Sequence, residues 1–324
     1  MKEPKTKRKL SAILRWILWV LVVQLILINI SAAFYAYHLT HFYDDQSLLN
    51  QGRRGNIFAK TWKLFTGPRQ VKLPLTATPR YSFDTVHLKT VNGIEIEAWY
   101  SRADSLNHGT IILFHGMGGN KSMCVDEARE FHDWGYNVMM VDFRGHGGSE
   151  GNDVTIGVRE TEEVKLAVDY LHQKGEKSIF LWGNSLGAVV VAKAMADYDL
   201  PVSGIIMESP FGSLQSFLKA KARRLGFPQQ PFAFLTTFWI GVEKGFSGFR
   251  HQTARYARRI HCPVLLQWGT DDDLINQDEI QVIYKAIFSS HKKLVIYDHA
   301  VHESFLRKDP VLWRLETLNF LQHP

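Results

Sequence analysis

The sequence predicts an α/β fold with a mostly parallel central sheet and helices on both faces, and three features of the chain predict it. Short continuous apolar runs at 111–114, 138–141, 179–182, 205–207, 264–266 and 294–297 have the character of strands covered on both sides. Helix-length segments lie between most of them, and strand alternating with helix implies parallel strands joined by right-handed crossovers. Ahead of them, the segments 83–90 and 94–98 flank Asn92-Gly93, and the second alternates apolar with polar residues, as a half-exposed hairpin does.

A chain of 324 residues buries a full core, as one large α/β domain or a domain carrying an insertion. Its formal net charge is +6, but Lys2, Lys5, Lys7, Arg8, Lys9 and Arg15 stand against Glu3 alone in the first fifteen residues. The body of the protein is therefore close to neutral. A nucleic-acid surface needs its basic face on the folded domain, so nucleic acid is excluded as a partner. Two cysteines, Cys124 and Cys262, are too few for a disulfide framework and are read as free or buried thiols.

Taken in order, residues 1–15 form a basic tail and residues 16–36 an almost wholly apolar run, interrupted by Gln24, Asn29 and Ser31. As a helix, this run is about 31 Å long, enough to cross the hydrocarbon core of a bilayer. Trp16 and Trp19 at one end and Phe34, Tyr35 and Tyr37 at the other match interfacial aromatic belts. The expectation is a transmembrane anchor with a cytoplasmic N-terminus and the rest of the chain on the far side of the membrane. Ser31-Ala32-Ala33 offers the competing reading of a cleaved signal peptide, but the apolar run is longer than a usual signal core. Residues 37–80 mix charge, Gly and Pro with no sustained period, and are expected to be a juxtamembrane linker. Their aromatic and basic stretch at 58–65 suits either the lipid surface or an arm packed on the domain.

The domain from 81 to 324 is organised around 178–196, where a strand is followed by Gly183-Asn184-Ser185-Leu186-Gly187 and a helix of small residues. This is G-x-S-x-G at a strand-to-helix turn. Glycines are needed on both sides because a Cβ there collides with strand or helix, and the serine is left at the tip. The helix that starts beside it aims free N–H groups and its positive dipole end at any oxyanion formed there. Such a device suits acyl transfer.

From about residue 81 onward the chain resembles an α/β-hydrolase of the serine esterase, lipase and peptidase kind. The resemblance is carried by this turn and by His115-Gly116-Met117-Gly118-Gly119 directly after a strand. It implies that the N–H groups of Met117 and Leu186 form the oxyanion hole. The run 142–149 also fits the family, as a turn without chemistry of its own. The order Ser, acid, His places the acid in Asp271-Asp272-Asp273 and the base in Asp298-His299-Ala300-Val301-His302. Family spacing selects Asp272 over its neighbours Asp271 and Asp273, and His302 over His299.

Other chemistries fail on spacing. Gly119-Asn120-Lys121-Ser122 lacks the glycines of a phosphate loop, and Gly116 and Gly118 lack the third glycine of a dinucleotide fingerprint. His299 and His302 find no third ligand at metal spacing. No cofactor and no metal is expected. Between about 210 and 260 the family carries a helical cap, and here it is rich in Phe, Leu and Trp, with Lys219, Lys221, Arg223 and Arg224 making one part basic. Those aromatics suit an acyl-binding roof, and equally the packing of a lid onto the sheet.

The resemblance implies a membrane-anchored serine hydrolase that cleaves carboxylic esters, acyl lipids among them, through an acyl-enzyme. Its expected partners are a small-molecule or lipid ester substrate and the bilayer. Peptidase or thioesterase action uses the same triad and differs only in the pocket. A catalytically silent fold kept for binding is the reading from another class.

Overall fold

The computed structural model describes residues 5–50, 57–104 and 107–324. An eight-stranded sheet forms its centre: β1 (Asp84–Lys89), β2 (Glu95–Ser101), β3 (Thr110–Phe114), β4 (Asn137–Val141), β5 (Ile179–Asn184), β6 (Gly204–Glu208), β7 (Val264–Gly269) and β8 (Lys292–Tyr297). Across the sheet the order is β8-β7-β6-β5-β3-β4-β2-β1. The first two strands form the antiparallel hairpin, with Val86 opposite Ala98 and Leu88 opposite Ile96. β2 runs antiparallel to β4, and all later pairings are parallel.

The uninterrupted apolar runs become strands because both faces are covered. Ile111, Ile112, Leu113 and Phe114 are fully buried, as are Val138 to Val141 and Val264 to Leu266. β8 departs from this expectation. It is the sheet edge, and Ile296 is 39% exposed. Helix Thr161–Gln173 turns Val164, Val168 and Leu171 inward, the face that the sequence marks. Helix Leu186–Tyr198 is buried almost all round, which its alanines and valines permit.

Two crossovers leave in opposite directions from the adjacent strands β3 and β5, whose ends pair Phe114 with Gly183. The crevice beyond such a switch point is where α/β sheets bind ligands. Between β6 and β7 lies the cap, with helices Leu214–Arg224 and Gln229–Lys244 separated at Pro228.

The N-terminal region differs most from expectation. Helix Lys5–Thr40 has 36 residues, about 54 Å at 1.5 Å per residue, and among the described residues it is the one helix long and apolar enough to cross a membrane. It does not end where the apolar run ends. Ala32, Tyr35, Ala36 and Leu39 are buried against the cap helix Gln229–Lys244, with Tyr35 edge-on to Phe232 at 5.0 Å. Two of the three polar interruptions have partners in the structure: Asn29 bonds the Leu25 carbonyl, and Ser31 the Phe65 carbonyl.

Nor is 37–80 a free tether where it is described. Phe42–Tyr43 pairs with Gln70–Val71, and helix Ile57–Thr66 lies between them in sequence and packs on the N-terminal helix. Lys72 Nζ donates to the Ser149 carbonyl, and Asn120 Nδ2 to those of Leu73 and Pro74. Single contacts of this kind leave no period in a sequence. The stretch 58–65 is held on the N-terminal helix by the Trp62 ring edge-on to Phe34 and by the Leu64 and Phe65 carbonyls, which accept from Tyr35 and Ser31, while the side chains of Phe58, Trp62 and Leu64 stay mostly exposed. Gly52, Arg53, Arg54 and Gly55 of the expected linker, and Lys2 of the basic tail, lie outside the described residues.

Candidate active site

Ser185 occupies the tight turn between β5 and its helix with φ 52° and ψ −108°, a backbone state that costs a non-glycine residue about 1–3 kcal/mol. The surroundings enforce it. A Cβ on Gly183 would lie 2.5 Å from the Gly187 carbonyl carbon, and one on Gly187 would lie 2.1 Å from the Phe114 carbonyl oxygen. The Ser185 N–H donates to the Glu208 carbonyl at 2.8 Å, which ties the turn to β6.

The structure brings Ser185, His302 and Asp272 into one chain of hydrogen bonds. His302 Nε2 lies 2.9 Å from Ser185 Oγ, and its Nδ1 2.7 Å from Asp272 Oδ2. The other carboxylate oxygen, Oδ1, accepts the N–H groups of Leu274 at 2.9 Å and Ile275 at 3.0 Å. A carboxylate only accepts, so Nδ1 carries the proton and Nε2 presents its lone pair to the serine hydroxyl. The neighbouring acids are elsewhere: Asp273 is exposed and paired with Arg224 of the cap, and Asp271 faces the exposed His299 at 3.5 Å. His299 makes no contact with Ser185 among the described residues.

The loop after β3 lies beside this group. Its residues His115 to Gly119 line the same cavity, of about 660 Å³, as Ser185 and His302. Leu186 is the first residue of its helix, so its N–H has no intrahelical acceptor. Two buried imidazoles shape the loop. His115 Nε2 accepts the Phe143 N–H, and His146 Nε2 accepts the Gly118 N–H, both at 3.2 Å. Burial pushes the pKa of His115 down to about 4 and that of His146 down to about 3. Both therefore stay neutral acceptors near neutral pH. The 142–149 turn thus acts on the loop through His146, a link invisible in sequence.

Beneath the loop sits an ion cluster that sequence reasoning missed. The Lys121 side chain is wholly buried, with Nζ 2.5 Å from Asp142 Oδ2 and 2.6 Å from Glu97 Oε1, above the Trp99 ring. Gly147 and Gly148 make room for it, since a Cβ on either would run into Asp142 or Glu97. This lysine is locked in structure and not free to meet a phosphate. Lys121→Met strands Asp142 uncompensated in the core, and we expect it to cost about 3–5 kcal/mol in denaturant unfolding. Adding Asp142→Asn should recover part of that loss.

Glu208, under the turn, is fully buried and accepts the indole N–H groups of Trp182 at 3.0 Å and Trp313 at 2.7 Å. Burial first and the nearby Glu127 second push its pKa up to about 8. A carboxyl raised in the folded state stabilises fully below its unfolded pKa, and this contribution is lost as pH rises through the folded value. The stability of Glu208→Gln relative to wild type should therefore climb from about pH 5 to about pH 8 and then level off. Thermal melts across that range check it; a difference independent of pH would refute the protonated state.

The cavity's roof and wall were only partly legible. Phe217, Leu218 and Phe232 of the cap line it, and so do Tyr35 and Leu39 of the N-terminal helix. The cap aromatics divide between the two roles expected of them: Phe217 is buried, whereas Phe234 and Phe238 are about half exposed.

A switch-point crevice, a strained serine between two obligatory glycines and a cap over the pocket together define an α/β-hydrolase. The sequence profile of the family described as Serine aminopeptidase, S33 (Hydrolase_4), matches residues 106–237 and 219–309, and the chain belongs to that family. It is similar to lysophosphatidylserine lipase ABHD12 of Mus musculus, 25% identical over 207 residues that make up 60% of this chain and 49% of that protein. The Danio rerio form is 26% identical over 189 residues, 55% of this chain and 47% of its own length. The chain spans about half the length of these curated relatives. Among solved structures, the Pyrococcus furiosus esterase Pf2001 shares the fold with a TM-score of 0.63 at 23% identity, covering 78% of this chain and 97% of that one. A membrane phospholipase A shares it with a TM-score of 0.56 at 18% identity, covering 74% and 86%.

Proposed function

We propose that the protein is a membrane-anchored serine hydrolase that cleaves carboxylic esters, acyl lipids among them, through an acyl-enzyme on Ser185. The observation that carries this reading is the hydrogen-bonded line from Ser185 through His302 to Asp272, at a cavity walled partly by the apolar N-terminal helix. His302 Nε2 takes the hydroxyl proton as Ser185 Oγ attacks the ester carbonyl, and Asp272 steadies the imidazolium. The N–H groups of Met117 and Leu186 hold the oxyanion. Collapse expels the alcohol, which leaves with the proton from His302; water, activated by the same imidazole, then releases the acid.

The helix serves as the anchor, with its exposed apolar part up to Ile30 in the bilayer, the basic tail in the cytoplasm and the domain, into which Ala32 and the residues after it pack, on the other side. Support comes from the exposed apolar surface between Ile13 and Ile30 and from the charge asymmetry across it. An uncleaved anchor also fits the packing of Ala32 and Ala36 into the domain. Tyr35 and Leu39 then bring the catalytic cavity to the membrane surface, where the exposed Phe58, Trp62 and Leu64 rest among headgroups. The lysophospholipid named for the mammalian and fish relatives fits such a site.

A panel of p-nitrophenyl esters of graded chain length, a lysophospholipid, an acyl thioester and an aminoacyl amide tests the reading. Esters should be turned over well ahead of the amide. Preference for the amide would make the protein a peptidase instead. Protease digestion of intact cells should spare an N-terminal tag and attack the domain; the reverse would invert the orientation.

A further inference from the structure

The cap brings two cations to the roof of the catalytic cavity, Lys221 and Arg224, one turn apart on helix Leu214–Arg224. Arg224 is already paired: its guanidinium grips the Asp273 carboxylate, with Nε 2.8 Å from Oδ2, and Arg223 donates to the Asp273 carbonyl. Lys221 has no such partner. Among the described residues no carboxylate lies within ion-pair distance of its Nζ, and what it overlies is the ring of Phe217, 5.4 Å from the centroid. Burial and then the like charge of Arg224 push its pKa down, with no acid acting the other way.

Two acids line the same cavity, and both are engaged elsewhere. Glu127 accepts from Ser304 Oγ at 2.6 Å, and burial pushes its pKa up. Glu303 accepts the Val301 N–H at 3.3 Å. A partly buried ammonium without a counter-ion is less favourable than a paired one, and an anion entering the cavity supplies the missing partner.

We propose that Lys221 is a specificity-determining residue that pairs with a negatively charged headgroup, so that the cavity selects single-chain esters bearing a phosphate or carboxylate near the scissile bond. The proposal rests on the reading of Ser185 as nucleophile. Phe217, Leu218, Tyr35 and Leu39 offer the acyl chain an apolar wall, while Lys221, a cation of the roof without an ion-pair partner among the described residues, chooses the headgroup. Lys219 is two residues away and so projects from a different face of the helix. It serves as the control.

With the full chain in maltoside micelles, kcat/KM is compared for a 1-acylglycerol phosphate and a 1-acylglycerol of the same chain. Wild type should favour the phosphate, and Lys221→Met should lower the phosphate-to-neutral ratio about tenfold or more. Lys221→Arg should restore most of it, and Lys219→Met should leave it unchanged. A ratio unmoved by Lys221→Met, or lowered equally by Lys219→Met, overturns the proposal.

A second arm needs no turnover: Ser185→Ala protein is titrated calorimetrically with dodecyl phosphate, with and without Lys221→Met. Binding weakened about tenfold by the second substitution supports the assignment, and equal binding overturns it. Inorganic phosphate is the third ligand; if it binds as tightly as dodecyl phosphate, the site reads a free anion and the lipid assignment fails. Lys221-dependent binding in a chain that hydrolyses no ester would overturn the hydrolase reading and the selection of esters with it, leaving Lys221 as the contact for an anionic amphiphile alone.

Discussion

Ser185→Ala is expected to lower ester turnover by about 10⁵- to 10⁶-fold, or about 7–8 kcal/mol of transition-state stabilisation, while the protein melts within a few degrees of wild type. The size of the effect follows from what is removed. Without Oγ no acyl-enzyme forms, and the imidazole of His302 has nothing to deprotonate but water. Oxyanion donors and binding alone leave a residual rate. The fold should survive because the strain at φ 52° is held by the backbone approaches at Gly183 and Gly187, which alanine does not touch. Turnover of a p-nitrophenyl ester measured beside a thermal melt separates loss of chemistry from loss of structure.

Asp272→Asn is expected to cost about 10⁴-fold in kcat, again with the fold intact. Asp272 Oδ1 accepts two backbone N–H groups, from Leu274 and Ile275, so the amide oxygen of asparagine must take that side. Its NH₂ is then turned toward His302 Nδ1, which can no longer donate and must accept. The ring proton moves to Nε2, and the imidazole loses the lone pair that Ser185 needs. Asp271→Asn and Asp273→Asn should each change kcat by less than about threefold, since both side chains are exposed and surface pairs contribute little. A full-strength effect from either neighbour would reassign the acid.

The sheet was legible because burial on both faces leaves uninterrupted apolar runs, and the nucleophile turn because glycines at fixed offsets are sterically required. The three consecutive aspartates were not separable by composition. What distinguishes Asp272 is direction: it points inward to cap the next turn, while its neighbours point to solvent. Lys121 and Glu208 were silent for a different reason. Each is a single polar residue whose partners come from other elements, at Asp142 and Glu97 or at Trp182 and Trp313, and no local pattern announces such a meeting. The same holds for Tyr35, which in sequence ends an apolar run and in the fold lines the cavity.

The most direct test of the account is labelling of the full chain with a fluorophosphonate probe, followed by peptide mapping. A single adduct on Ser185, absent in Ser185→Ala and strongly slowed in His302→Ala, is the predicted result. A folded protein that takes no label at Ser185, or carries it on another residue, would contradict it.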